Sequence, residues 1–308
     1  MPAWKELTDQ IESLSPDCIG GWLQTQYEAT LNEIAQLRGG RNVLIYASGF
    51  LQKPNIPGSF LQITHEDING FMSVMYGMDW SKGLTLILHT PGGLTNAAET
   101  IVSYLWSKFE HIEVMVPTYA MSAGTMISLA SNRIIMGRQS QLGPIDPQMP
   151  VNGRFVSARA IVEQFDRARD EILDDPKAAH VWAPVLASVG PALLQEAQNA
   201  LDYGESMVAG WLKQRMFKGI QNADAIAKAT ASHFNDATKH KSHGRRIDRD
   251  EARANNIVVE DLETEQQLQD AVLTAYHLSV IIFEKSPAVK LMASSDGRSW
   301  MKNFVVPS

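Results

Sequence analysis

Met121-Ser122-Ala123-Gly124-Thr125 sets a serine between the apolar run Ile112 to Pro117 and a second run, Met126 to Ala130, of helical character. That order predicts a strand, a tight turn of small residues, and a helix. A serine in such a turn presents its hydroxyl, and the amides that open the helix are donors for a developing oxyanion. The same position also suits a helix cap, so the turn alone leaves Ser122 two roles. Upstream, Leu84 to His89 reads as a buried strand that runs into Thr90-Pro91-Gly92-Gly93. Ala97 to Phe109 follows, with Ile101, Val102, Leu105 and Trp106 at helical spacing. Strand, glycine pair, helix and strand make a βαβ unit whose crossover is expected to be right-handed. Gly92-Gly93 and Ser122 then fall at the carboxyl ends of parallel strands, where open sheets carry their sites. Paired glycines let a backbone amide approach a ligand with no Cβ in the way, and they equally make a plain turn.

Other elements must position these groups. Trp4 to Leu37 predicts two amphipathic helices with a break at Gly20-Gly21, and Asn42 to Ala47 predicts a strand. Gln52 to Phe60 reads as loop. A helix capped by Thr64 should bury Ile68, Phe71, Met72 and Met75. Arg133 to Gly137 predicts a strand, Gln141 to Pro150 with three prolines an ordered loop, and Asn152-Gly153 a hairpin. From Ala158 to Phe234 the pattern is helical, punctuated at Pro176, Pro184 and Pro191. A short helix leads into a strand over Asp248 to Val259, and Leu262 to Lys285 closes as a helix.

The 308 residues are 44% hydrophobic and 20% charged, enough for one large core or two modest ones. The net charge of -7 supplies no general field for nucleic acid. The basic run Lys239 to Arg246 is followed at once by Asp248, Asp250 and Glu251 and reads as a solvated loop. Cys18 stands alone, so no intrachain disulfide forms. The acidic start shows no secretory signal, and Ala271 to Phe283 is too short to span a bilayer. A cytoplasmic protein without membrane or nucleic-acid partners is expected.

Leu88-His89-Thr90-Pro91-Gly92-Gly93, Ala120-Met121-Ser122-Ala123-Gly124-Thr125 and Gln141-Leu142-Gly143-Pro144-Ile145-Asp146-Pro147-Gln148, in that order, resemble the Clp/crotonase superfamily of serine peptidases. Within it the sequence is most similar to the serine dehydrogenase proteinase family. The resemblance covers about 42–150 and resumes over 242–259. It implies an α/β fold of repeated ββα units with a parallel sheet and a helical insertion. It divides the chain into N-terminal helices (1–40), core (41–157), helical insertion and oligomerisation region (158–236), closing part of the core (237–287) and C-terminal tail (288–308). It also implies a Ser, Asp, His triad of Ser122, Asp146 and His243, with an oxyanion hole at Gly93 and Ala123 and substrate orientation by Gly92. A triad is defined by geometry and roles, so that chain order is chemically sound. No cofactor or metal is implied; the expected partners are a protein or peptide substrate and further copies of the chain.

Several alternatives stay open. His240 competes with His243 as the base, while His89 reads as a satisfied core histidine. A Ser-Lys dyad would draw on Lys177, Lys213 or Lys218. An acyl-CoA enzyme or a noncatalytic scaffold shares the same fold. Substrate identity, subunit number and the need for an unfolding partner are not encoded in these motifs.

Overall fold

The computed structural model describes residues 4–190 and 192–305, which form two compact units. Met1–Leu142 with Ile247–Ser308 make a sheet unit, and Gly143–Arg246 make a helical unit. The expected punctuation at Pro191 lies outside the described residues.

The first pass through the sheet unit runs α1 (Trp4–Glu12), α2 (Pro16–Leu37), β1 (Asn42–Ser48), α3 (Gly58–Leu61), α4 (Asp67–Met75), β2 (Leu84–His89), α5 (Thr95–Lys108), β3 (Ile112–Val116), β4 (Tyr119–Ala120), α6 (Ala123–Leu129), β5 (Arg133–Met136) and β6 (Gln141–Leu142). The helical unit holds β7 (Gln148–Val151), β8 (Arg154–Ser157), α7 (Ala158–Asp174), α8 (Ala179–Ala187), α9 (Leu193–Gln214), α10 (Ala223–Asn235) and α11 (Ala237–His240). The chain then returns through α12 (Arg249–Ala254), β9 (Val259–Asp261), α13 (Gln266–Lys285), β10 (Ala288–Ser294) and β11 (Ser299–Asn303).

The seven-stranded sheet has the order β11-β10-β1-β2-β3-β5-β9. From β1 to β9 every neighbouring pair is parallel, and β10 and β11 join antiparallel at one edge. This is the α/β, Clp/crotonase-like architecture. The central strands are buried along their whole length, as parallel strands covered on both faces must be. Side chains alternate across each strand. Val43, Ile45 and Ala47 join Leu23, Tyr27, Leu31 and Ile34 of α2 and Val272, Ala275 and Leu278 of α13 in one core. From the same strand, Tyr46 stacks on Phe71 of α4 at 6.0 Å between ring centroids.

Several expectations are corrected. Gly20 and Gly21 lie inside α2, and the break falls before Pro16, which takes the first helical turn. Thr64 does not cap α4; its backbone N–H instead donates to the Asp67 carboxylate at 2.8 Å, and the helix begins at Asp67. Met72 is half exposed while Val74 is buried, so the apolar face of α4 is rotated from the expected one. The loops expected at 52–60 and 141–150 contain α3, β6 and β7. The segment expected as a C-terminal tail supplies β10 and β11. Helix α8 buries none of its residues, and its Val181 and the nearby Leu173 are more than two-thirds exposed.

Candidate active site

The serine turn and the glycine loop share one backbone ladder. Beyond β2, Thr90 donates to Tyr119 at 2.9 Å and accepts from Met121 at 3.1 Å, so the loop after β2 is fastened to the segment that enters the turn. At Ser122 the backbone takes φ 51° and ψ -115°, a conformation that L-residues adopt only under constraint. Its hydroxyl makes no cap hydrogen bond to α6. That removes the capping role which the sequence left open. Met126 N–H donates to Ser122 carbonyl at 3.0 Å, and Thr125 Oγ1 donates to Ala120 carbonyl at 2.7 Å, which locks the turn from within.

Gly92 and Gly93 are required by contact. Gly92 has φ +98°, and a Cβ there would lie 2.6 Å from Met121 carbonyl and 2.7 Å from Ser122 Cβ. A Cβ on Gly93 would lie 2.2 Å from Ile63 carbonyl. Ile63 N–H donates to Gly92 carbonyl at 2.7 Å, and Leu94 N–H donates to Ile63 carbonyl at 3.0 Å. Among the described residues, the Gly93 and Ala123 N–H groups take part in none of these turn and loop hydrogen bonds.

In the helical unit, Asp146 is 2% exposed and His243 is 29% exposed. His243 Nδ1 donates to Asp146 Oδ1 at 2.7 Å. A carboxylate oxygen only accepts, so Nδ1 carries the proton and the lone pair of a neutral ring lies on Nε2. The path of the chain explains the meeting. Leu142 and Ile247 exchange two backbone hydrogen bonds, each of 2.9 Å. Asp146 and His243 stand four residues beyond that pair on the outgoing and the returning segments. Ile145 N–H donates to Phe234 carbonyl at 2.9 Å, and Ala158 N–H donates to Pro147 carbonyl at 2.9 Å, which pins the Asp146 loop on both sides.

A residue given no role from the sequence completes this arrangement. Gln148 Nε2 donates to Asp146 Oδ2 at 2.6 Å, so each carboxylate oxygen has its own donor. The prolines around Gln148 hid the strand register that turns its amide back on Asp146. His240 is the opposite case. Its Nε2 donates to His233 carbonyl at 2.7 Å, and its Nδ1 accepts from Arg245 at 3.0 Å, so both ring nitrogens are engaged in a buried setting.

The structure thus brings Gly92, Gly93, Ser122 and Ala123 together in the sheet unit, and Asp146 and His243 together in the helical unit. Lys177, Lys213 and Lys218 are all exposed, and Lys213 pairs with Asp224 at 2.9 Å, so none has the burial that a neutral lysine base requires. His89 corrects the expectation of a satisfied core histidine. Nδ1 bonds Thr118 Oγ1 at 2.9 Å, but among the described residues the buried Nε2 has no partner. Burial pushes its pKa down to about 3.

A family model described as ClpP-like SDH-type serine proteinase matches residues 15–187. Ser122 and Asp146 lie inside the match, and His243 lies outside it. Two uncharacterized proteins of Methanocaldococcus jannaschii are similar. The first is 35% identical over 137 residues, 44% of this chain and 44% of that protein. The second is 34% identical over 203 residues, 66% of this chain and 62% of that protein. The matches therefore span less than two thirds of the length of either relative. Among solved structures, a serine-to-alanine mutant of a membrane-bound stomatin-specific protease is similar at a TM-score of 0.37 and 20% identity, covering 65% of this chain and 75% of that one.

Proposed function

The chain belongs to the ClpP-like SDH-type serine proteinase family, and from that premise we propose that it hydrolyses peptide bonds through an acyl-enzyme on Ser122. The observation that carries the reading is the strained backbone of Ser122, at φ 51°, with a hydroxyl that caps nothing. The hydrogen-bonded Asp146–His243 pair supports it further.

In this reading His243 Nε2 takes the Ser122 proton as Oγ attacks the substrate carbonyl carbon. The carbonyl π pair moves to oxygen, and the Gly93 and Ala123 N–H groups donate to that oxyanion, each contributing about 3 kcal/mol. As the oxyanion collapses, the C–N bond breaks and His243 gives its proton to the leaving amine. Water then repeats the sequence against the ester and frees Ser122. Asp146 holds the Nδ1–H tautomer and stabilises the imidazolium, and Gly92 helps to orient the substrate strand.

Assembly into a homo-oligomer accompanies this proposal, supported by the exposed apolar residues on and near α8. Among the described residues no helix is long and apolar enough to cross a membrane. Incubation of the protein with a pool of internally quenched peptides tests the activity, with the new termini located by mass spectrometry. Cleavage that disappears in Ser122→Ala is expected. Cleavage that survives in Ser122→Ala would place the nucleophile elsewhere.

A further inference from the structure

A pocket of about 330 Å³ adjoins His243 within the helical unit, and Gln148, Ser157, Arg159, Glu163 and Lys241 line it. The basic run that the sequence presents as a solvated loop divides here into engaged and unengaged cations. Lys239 Nζ donates to His233 Nδ1 at 2.9 Å, and Arg245 donates to His240. Among the described residues, Lys241 and Arg159 make no ion pair and no side-chain hydrogen bond. Glu163 borders the same pocket, but its carboxylate accepts from Thr238 Oγ1 and pairs with neither cation.

Two further features mark the pocket. Ser157 Oγ is buried without a hydrogen-bond partner among the described residues and makes no cap bond to α7. Lys241 holds left-handed backbone, φ 64°. Of the five non-glycine residues at positive φ among those described, three are asparagines, which tolerate it, and the others are Ser122 and Lys241. Lys241 is the C-cap of α11, where a glycine would relieve the strain. A lysine there is explained by a use for its side chain.

We propose that this pocket binds a carboxylate of the substrate polypeptide on the leaving-group side of the scissile bond. Lys241 and Arg159 supply the charge, and the Ser157 hydroxyl supplies a neutral donor. The inference rests on the reading of His243 as the group that protonates the leaving amine, because the chain beyond that amine must then pass the imidazole. An acidic side chain and a C-terminal carboxylate present the same chemistry, and a set of probes separates them.

Fluorescein-labelled peptides of four alanines followed by Glu-amide, Gln-amide or Gln with a free C-terminal acid are titrated into the full chain carrying Ser122→Ala, with anisotropy read at low salt. At least one acidic probe should bind about tenfold tighter than Gln-amide, as a charge-assisted contact gives. The probe that gains identifies the carboxylate source. Lys241→Gly and Arg159→Gln should each erase most of that preference, and Lys241→Gly also relaxes the backbone, so misfolding does not explain its loss. Equal binding of all three probes, no binding of any, or a preference that persists in both variants overturns the inference. Loss of peptide cleavage in wild-type protein would instead strike the activity of Ser122, which these binding measurements do not use.

Discussion

The two regions that carry the candidate catalytic groups are built by different means. In the sheet unit, Gly92, Gly93 and Ser122 are placed by backbone hydrogen bonds and by the absence of side chains at points of close approach. In the helical unit, backbone hydrogen bonds also pin the Asp146 loop, but the Asp146 and His243 side chains are oriented by side-chain hydrogen bonds, with Gln148 behind the carboxylate. Steric placement tolerates no added atom, and damage there should appear as lost stability. Hydrogen-bond placement tolerates a change of shape but no loss of a donor, so damage there should appear first in chemistry.

The largest effect that would sharpen this contrast is expected for Gly93→Ala. The new Cβ would meet backbone of Ile63 at 2.2 Å, which has no side chain to swing away. Urea unfolding should show a loss of about 3 kcal/mol, in the range of overpacked interiors. A variant as stable as wild type would break the steric half of the comparison. Next comes His89, buried at the end of β2, whose pKa is held down to about 3 by desolvation. The unfolded chain takes up this proton below about pH 6.5 and the folded chain does not, so the contribution is complete above that pH and is lost as pH falls toward 3. Stability should drop by about 2 kcal/mol between pH 7 and pH 5 from this residue, and His89→Asn should flatten that part of the profile in denaturant titrations.

A smaller change is expected in the helical unit. Gln148→Leu removes the donor to Asp146 Oδ2, and modification of Ser122 should slow roughly tenfold, the effect of losing one hydrogen bond to a charged group. The His243 Nδ1 proton resonance should shift upfield as its bond to Asp146 loosens. An unshifted resonance would mean that Gln148 only stabilises the loop. Smallest of all, Lys177→Ala, Lys213→Ala and Lys218→Ala should each alter Ser122 reactivity by less than about twofold, because all three are exposed and keep the charge that a lysine base must shed. A large loss in any one of them would revive the dyad.

The sheet side was readable from sequence because its signals are local. β2, the glycine pair, α5 and β3 stand where hydrophobic runs and spacing put them. What escaped depends on partners far along the chain. β10 carries Lys290 at its centre, which argues against a buried strand until Asp67 is found 2.9 Å away. Burial pushes the Lys290 pKa down, and the Asp67 carboxylate pulls it back up. The stripe from Leu23 to Ile34 on α2 packs against α13 and overrides the weak helix preference of Gly20-Gly21. His243 and His240 lie three residues apart and could not be separated by spacing. Only the donors and acceptors around each ring distinguish a nitrogen that is left open from two that are engaged.

Fluorophosphonate labelling of the full chain, with the adduct located by peptide mass spectrometry, tests the central claim that Ser122 is a nucleophile served by His243. The account predicts a phosphonylated Ser122 in wild-type protein, no adduct in Ser122→Ala, and a loss of labelling rate of about a thousandfold or more in His243→Ala. Labelling at full rate in His243→Ala, or an adduct on another residue, would contradict it.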